Sequence, residues 1–236
     1  MSSPVLAWGL GDQFRVMLPI MRAAGVYTSV GIDDTINARS TWKDDFPTLR
    51  NWSECQAWLR ASGFSTVDFV IGVANPYGAT RVALALHLEQ LGHRPLQVIS
   101  KLSKISASAD LGSGSQIMPM AFIHEYVSTK EQVIVNTGAV VEHDCVLEAG
   151  SEIGPNATLC GRVHVDGNAW VGAGAVVLPR LTIGKNAIVG AGAVVTRSVP
   201  PGHVVAGNPA RRLLDSGWDG MSRESREGDR LLAQLQ

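Results

Sequence analysis

Residues 133–177 read VIVNTGAVVEHDCVLEAGSEIGPNATLCGRVHVDGNAWVGAGAVV, and a large aliphatic residue recurs at every sixth position of this stretch. The same period continues without a gap from Ile105 to Val195, and fifteen of its sixteen positions are Ile, Leu or Val. A second register lies four residues later, from Ala109 to Val199, and holds small or medium residues, mostly alanine and valine.

A period of six matches neither the 3.6-residue turn of an α-helix nor the two-residue alternation of a simple strand. It is typical of a solenoid whose coil has three short flat sides, each of which sends one aliphatic side chain inward. Residues eighteen apart then lie above one another. The pattern therefore predicts a β-helix of about five coils from Ile105 to Val199, with eighteen residues per coil.

The first hundred residues follow a different pattern, in which apolar runs alternate with helical spacing and glycine stops. Such alternation predicts a small Rossmann-like parallel sheet with helices packed on it. The predicted strands are 5–8, 27–32, 67–73 and 96–99, and the predicted helices are 14–24 and 80–91. We expect three parts: an α/β nucleotide-sugar-binding domain (1–100), a β-helix domain (101–212) and a C-terminal tail (213–236).

The composition excludes several classes of partner. A formal net charge of -1 argues against nucleic acid or an anionic membrane, since both require a basic surface. Cys55, Cys145 and Cys160 have neither zinc-ligand nor disulfide-framework spacing, and an odd count fits a reducing compartment. The first residues do not resemble a signal peptide, and no apolar run is long enough to cross a bilayer. We expect a cytoplasmic protein without a metal site.

Three motifs carry a resemblance to a known family: 135–145 (VNTGAVVEHDC), 171–177 (VGAGAVV) and 204–210 (VVAGNPA). The stretch from Val133 to Arg212 resembles the hexapeptide-repeat acyltransferases. More narrowly, it is similar to the subfamily of sialic acid O-acetyltransferases and bacterial N-acetyltransferases of UDP-linked 4-amino-sugars. The resemblance implies a left-handed β-helix, acetyl-CoA as acyl donor and a homotrimer, and the order of the domains also matches.

His143 is the candidate general base. It stands two residues after the core position Val141, so its side chain should leave the coil near a corner. An imidazole can accept a proton at cellular pH. Gly161, eighteen residues later, should bring a bare backbone beside the ring. The resemblance implies that His143 is the catalytic base and that the Gly161 amide binds the acetyl carbonyl.

Two carboxylates could orient the imidazole. The resemblance points to Asp144, but neighbours on a strand point to opposite faces, so Asp144 reaches the ring only if the chain bends there. Glu125, stacked one coil below His143, is the alternative. We favour Asp144.

Coenzyme A contacts are predicted from matching positions. The resemblance implies backbone contacts from Gly161, Ala173 and Ala191. Arg211, with its neighbour Arg212, could bind phosphate through paired hydrogen bonds, or could simply be solvated. One departure from the family is Glu152, which stands where a second, cofactor-facing histidine is common. An anion cannot serve there as a cationic donor to CoA.

The loop GLGDQFR (residues 9–15) follows the first predicted strand and opens the first helix, where phosphates commonly bind. Candidate substrate-binding residues are Gly9, Gly11, Gln13, Phe14 and Asp33. Phe14 replaces the third glycine of the dinucleotide signature, and family members usually show Gly-Gly-His where this chain has Gly11-Asp12-Gln13. Because Asp12 adds negative charge, the usual mode of pyrophosphate binding is in question.

These features predict an acetyl-CoA-dependent N-acetyltransferase that acts on the amino group of a nucleotide-linked amino-deoxy-sugar. The first alternative is O-acetylation of a sialic-acid-like or other hydroxyl acceptor, which the altered phosphate loop favours. The second is a non-catalytic β-helix that binds a sugar nucleotide, against which the pairing of His143 with Gly161 argues.

Overall fold

The computed structural model describes residues 3–33, 45–213 and 232–233. The N-terminal part is a five-stranded parallel sheet in the order β3-β2-β1-β4-β5. Its strands are β1 (Val5–Trp8), β2 (Val30–Ile32), β3 (Thr48–Leu49), β4 (Asp68–Ile71) and β5 (Arg94–Pro95). Three helices, α1 (Asp12–Ala23), α2 (Trp52–Ser62) and α3 (Gly78–Gln90), pack on it. The predicted parallel α/β sheet is confirmed.

Helix α2 and strand β3 were absent from the sequence prediction. The ends of α2 carry local signals: the Asn51 side chain accepts from the Glu54 N–H at 2.9 Å, and Gly63 ends the helix in the left-handed conformation. The helix buries Trp52, which stacks on Trp8 with a centroid distance of 6.1 Å. The helix also buries Cys55 and Leu59, so it is held by the apolar core that these three residues share with the sheet.

The predicted strand at 96–99 is wrong as a single element. Arg94–Pro95 forms the edge of the α/β sheet, whereas Val98–Ile99 (β6) pairs with Gln116–Ile117 in the second sheet system. The second system therefore begins at Val98. Strand 27–32 is also shorter than predicted, since only Val30–Ile32 pairs with β1.

From Val98 onward the chain forms a three-sided β-helix in which all strands but one have two residues. The domain-facing sheet consists of β6 (Val98–Ile99), β8 (Gln116–Ile117), β11 (Ile134–Val135), β14 (Glu152–Ile153), β17 (Trp170–Val171), β20 (Ile188–Val189), β22 (Val204–Ala206) and β23 (Arg211–Arg212). The apolar sheet consists of β7 (Lys104–Ile105), β9 (Phe122–Ile123), β12 (Val140–Val141), β15 (Thr158–Leu159), β18 (Val176–Val177) and β21 (Val194–Val195). The third sheet consists of β10 (Ser128–Thr129), β13 (Val146–Leu147), β16 (His164–Val165) and β19 (Thr182–Ile183).

Residues eighteen apart are stacked, as predicted. Val135 pairs with Ile153, and Val141 pairs with Leu159. The aliphatic register is fully buried through the central coils and forms one continuous core. At the C-terminal end the repeat shortens to sixteen residues, because Ile183 bridges to Val199 and Val189 pairs with Val205.

Each coil turns its corners through residues in the left-handed conformation. Every sixth residue from Gly114 to Gly192 has a positive φ, between 55° and 71°. Glycine and asparagine adopt this conformation most readily, yet several corners carry longer side chains. The side chains at these corners therefore leave the coil in directions that a flat strand does not allow.

The N-terminal domain covers the domain-facing sheet. The Gln116 side chain donates to the Ile71 carbonyl at 2.8 Å, and Gln13 donates to Gln116 at 2.7 Å. Helix α3 begins against a corner of the β-helix, where a side chain on Gly78 would collide with the Gly150 carbonyl. No helix within the described ranges has the length and apolar character needed to span a bilayer.

Candidate active site

His143 and Asp144 lie at the corner between strands β12 and β13. Asp144 has a φ of 59°, so the chain bends there and both side chains leave from the same edge. Nδ1 of His143 lies 2.8 Å from Oδ2 of Asp144. The left-handed corner thus supplies the bend that the sequence argument required, and both side chains are about half exposed.

The hydrogen bond favours an ionised Asp144 and determines which nitrogen of a neutral His143 carries the proton. It holds the pKa of the Asp144 carboxyl below its usual value, and the nearby Arg162 guanidinium acts in the same direction. An ionised carboxylate only accepts, so the proton of a neutral His143 lies on Nδ1. Nε2 then carries a free lone pair, as a general base requires.

Glu125, the alternative partner, points elsewhere. Its carboxylate pairs with His124 and accepts from the Ser106 hydroxyl at 3.4 Å. None of the contacts recorded for the described residues joins Glu125 to His143. Stacking one coil below the histidine therefore does not produce a hydrogen bond, because the side chain turns toward its own neighbour.

Gly161 lies directly against the His143 ring. A Cβ at this position would be 2.5 Å from Nε2 of His143 and 2.7 Å from Cε1. Within the described part of the chain, the Gly161 N–H has no hydrogen-bond acceptor. The candidate base and an unused backbone donor therefore share one corner, and only glycine leaves room for both.

The other predicted cofactor contacts lie on different corners. Ala173 and Ala191 stack on the corner between the domain-facing and apolar sheets, one sheet away from Gly161. Arg211 is exposed and donates to its neighbour, the Ala210 carbonyl, at 2.9 Å. A ligand that touches all of them must therefore cross a sheet of one copy or lie between two copies.

Asp33, one of the candidate substrate residues, is hydrogen-bonded to the N-terminal loop. Asp33 accepts from the Leu10 N–H through Oδ2 at 2.9 Å, next to Gly9, which has a φ of 81°. Gly11 precedes helix α1, and a Cβ there would meet no atom of the described residues within 4 Å.

Gln13 and Phe14, the next two candidate substrate residues, contact other parts of the protein. The Gln13 amide bonds to the β-helix, and Phe14 is fully buried against Phe46.

The geometry can be compared with known proteins. Residues 162–197 match the family model described as bacterial transferase hexapeptide (six repeats). The chain is similar to a variant of GDP-perosamine N-acetyltransferase from Caulobacter crescentus, solved with CoA and GDP-perosamine (29% identity, TM-score 0.80, 91% of this chain and 99% of that chain).

It is also similar to the acetyltransferase domain of PglB from Neisseria gonorrhoeae (30% identity, TM-score 0.78, 90% of this chain and 100% of that chain). The chain belongs to the hexapeptide-repeat acetyltransferases. A third match, WeeI from Acinetobacter baumannii, has 27% identity and a TM-score of 0.69 over 90% of this chain and all of that chain. These matches span both domains, so the acetyltransferase assignment applies to the whole architecture.

A buried ionic network that the sequence reasoning missed joins the two domains of this acetyltransferase. Arg81 of α3 is fully buried and donates to the carbonyls of Gln132, Val73 and Gly150 at 2.7–2.9 Å. Burial lowers the pKa of Arg81 to about 10, so the guanidinium stays charged at neutral pH. The signal in the sequence was a basic residue followed directly by the apolar run 82–86 (VALAL).

Glu152 completes this network. Its carboxylate accepts from the Asn75 N–H and from the Asn136 side chain, each at 3.0 Å, and lies 4.0 Å from Arg81. Burial raises the pKa of Glu152, and Arg81 opposes that shift. Glu152, which stands where a second histidine is common in the family, thus places a carboxylate on the domain-facing sheet, where it binds the N-terminal domain.

We expect Arg81→Met to lower the free energy of unfolding by about 3–5 kcal/mol, because it leaves Glu152 and three carbonyls buried without their donor. Urea denaturation at fixed protein concentration measures the effect. Arg94→Met is the matched control, since the Arg94 side chain is 67% exposed in its pair with Asp68 and its loss should cost at most about 1 kcal/mol. Equal losses in the two variants would contradict the role given to the buried network.

Gly161→Ala should reduce kcat/KM about hundredfold while the protein stays folded, because the new methyl group pushes the imidazole roughly 1 Å from its position. Steady-state acetyl transfer measures this loss. Gly167→Ala is the matched control: it occupies the same position on another corner, where a Cβ would meet its nearest atom at an ordinary 3.4 Å. Near-normal turnover in Gly161→Ala would show that the close approach is unimportant.

Proposed function

We propose that this acetyltransferase transfers the acetyl group of acetyl-CoA to the amino group of a nucleotide-linked amino-deoxy-sugar, with His143 as general base. The observation that carries the proposal is the His143–Asp144 pair against the bare backbone of Gly161. The matches to sugar N-acetyltransferases over nine-tenths of the chain support the substrate class, since one of them was solved with GDP-perosamine and another with acetyl-CoA.

The reaction follows from the three groups at the corner. The acceptor amine attacks the thioester carbon while Nε2 of His143 takes the proton that the nitrogen loses. The carbonyl oxygen becomes an oxyanion, to which the Gly161 N–H can donate. The carbon–sulfur bond then breaks, and the CoA thiolate leaves and takes up the proton from the imidazolium. Asp144 holds the ring and stabilises its positive charge through Nδ1.

Two copies of the chain are needed to bring the substrates together. The N-terminal loop contacts the domain-facing sheet through Gln13, whereas His143 stands at the opposite corner, between the apolar and third sheets. An acceptor held by this loop therefore has the full width of the coil between its amine and the His143 of the same chain. We propose a homotrimer in which one subunit supplies the loop and its neighbour supplies the base.

The apolar sheet supports this assembly. From β9 to β21 its outward-facing residues are mostly apolar and only partly covered in a single chain: Phe122, Val140, Thr158, Val176 and Val194. Lys104 on the edge strand β7, by contrast, is exposed and charged. A contiguous apolar face of this kind is typical of subunit interfaces. A CoA groove between two copies would also bring Gly161 of one corner near Ala173 and Ala191 of another.

The cellular location remains a prediction from composition. We propose the cytoplasm, where acetyl-CoA and nucleotide sugars are available and where free thiols such as Cys55, Cys145 and Cys160 persist. Mass-spectrometric detection of acetyl transfer to matched amino- and hydroxy-sugar nucleotides tests the function itself. Transfer only to hydroxyl groups would contradict the proposed N-acetylation.

His143→Ala should lower kcat by about 10²–10⁴-fold with little change in acetyl-CoA affinity, because only the base is lost. Asp144→Asn should cost less, since the imidazole remains but loses its tautomer bias. The pH profile of the wild-type rate should change in His143→Ala, because the variant lacks the group that accepts the amine proton. Near-full turnover by a correctly assembled His143→Ala protein would refute the assignment.

The shared site predicts complementation between two inactive variants. Gly11→Trp should block access to the loop without backbone strain, since Gly11 has a φ of -76° and a Cβ there would meet no described atom within 4 Å. Co-expression with His143→Ala at equal ratio should restore about a quarter of the wild-type sites, because random mixing pairs an intact loop with an intact base that often. Inactive mixed oligomers, or a fully active monomer near 25.1 kDa by light scattering, would exclude the shared site.

A further inference from the structure

Two arginines stand directly above the His143–Asp144 pair. Asp144, Arg162 and Arg180 occupy the same corner on successive coils, about 4.8 Å apart by the spacing of paired strands. The backbone N–H of Arg162 donates to the His143 carbonyl, and the backbone N–H of Arg180 donates to the Gly161 carbonyl. These hydrogen bonds hold the three corners in register. Both arginines have left-handed backbones, with φ of 64° and 62°. Glycine or asparagine would adopt this conformation at lower cost.

Both guanidinium groups have unused donors. Nε of Arg162 is 3.5 Å from Oδ2 of Asp144, and its side chain is 56% exposed. Within the described part of the chain, no acceptor contacts the terminal nitrogens of Arg162 or any part of the exposed Arg180 guanidinium. Two stacked guanidinium groups with free donors match the chemistry of phosphate oxygens.

At this corner, acidic and basic side chains lie on different coils along the β-helix axis. On the coils at and below His143 lie Glu125 and Glu142, and on the coils above it lie Arg162 and Arg180. An acceptor that carries a basic amine at one end and a diphosphate at the other would bind in one orientation here, with its amine at His143 and its diphosphate toward the arginines.

The N-terminal loop leaves phosphate recognition incomplete. Asp12 is exposed in the first turn of α1, where a phosphate would meet the helix N-terminus, and its carboxylate repels a second anion. Gln13 is bonded to Gln116 and carries no positive charge. Among the described residues the loop itself offers one exposed cation, Arg15 in the first turn of α1, and the corner of a neighbouring subunit supplies two more.

We propose that Arg162 and Arg180 bind the diphosphate of the nucleotide-linked acceptor, whose amine reacts at His143. The inference rests on the proposed function and names a specificity-determining site for it. Coenzyme A also carries phosphates, but the whole pantetheine arm separates them from the thioester. The acceptor's diphosphate is only one sugar ring from the reacting amine, which matches the distance of one or two coils from His143 to the arginines.

Arg180 is the residue to test, because Arg162 also touches Asp144. Arg180→Gln should weaken binding of GDP, UDP or dTDP to the CoA-loaded enzyme about tenfold, as expected for losing hydrogen bonds to a charged group. Isothermal titration measures each nucleotide and inorganic pyrophosphate separately. Arg180→Gly should lose the same affinity while relieving the left-handed backbone. Lys185→Gln, which removes a charge from another corner at a similar height, is the matched control and should bind as wild type.

Kinetics separate the possible sources of phosphate. In Arg180→Gln, KM for the nucleotide-linked acceptor should rise about tenfold with kcat and the acetyl-CoA KM unchanged. A methyl glycoside of the same amino-sugar, which lacks the diphosphate, should react equally with variant and wild type. An increased acetyl-CoA KM instead would assign the arginines to CoA and overturn the proposal. Failure of the wild type to bind any of the four probes, or equal binding by Arg180→Gln, would also overturn it.

The outcome is distinguishable from failure of the proposed function. A wild type that binds a nucleoside diphosphate through Arg180 but acetylates no nucleotide-linked amino-sugar would refute the function and retain the site. An enzyme that acetylates such a sugar equally well with and without Arg180 would retain the function and refute the site.

Discussion

Closure of the coil in eighteen residues is the constraint on which the rest of this structure depends. Each coil must turn three corners, and each turn uses one residue in the left-handed conformation. Because the repeat is held from Gly114 to Gly192, equivalent positions stack without drift and a single aliphatic core runs through the coils. The corners are the places where this regularity allows side chains to leave the coil at an angle.

The candidate site uses that freedom. His143 and Asp144 come from one corner, and Gly161 and Arg162 come from the equivalent corner one coil later. Adjacent residues on a flat strand would point to opposite faces, but the bend at Asp144 brings its carboxylate to the imidazole of its neighbour. Stacking of the coils then determines what surrounds the ring. The Gly161 backbone lies above it, and Glu125 lies below it with its carboxylate directed toward His124. Two equivalent corners on successive coils therefore supply the proposed base, the carboxylate that contacts it and an unused backbone donor.

The relation between the two domains depends on a different kind of interaction. Arg81 and Glu152 are buried where α3 meets the domain-facing sheet, and nearly all of their hydrogen bonds cross between the domains or reach backbone carbonyls. Buried charges require specific geometry, because any displacement leaves a charge without its partners. The network therefore holds the N-terminal loop on one side of the coil and His143 on the other. This separation is the physical reason for which we propose an active site shared between copies.

The sequence by itself determined the solenoid, its stacking rule and the pairing of His143 with Gly161, because all three follow from counting residues at a fixed period. It also indicated the α/β pattern of the first hundred residues, and the resemblance named Asp144. Only the tertiary structure decided between Asp144 and Glu125, since the choice depends on a backbone bend and on the neighbour that each carboxylate finds.

Tertiary packing likewise assigned Val98–Ile99 to the β-helix, stabilised α2 through aromatic stacking and put Glu152 between the domains. Those outcomes depend on contacts between residues that are distant in the chain, and a local pattern carries no information about such contacts. The periodic half of the protein was therefore predictable because its long-range contacts repeat at a fixed spacing, whereas the domain interface has no repeat.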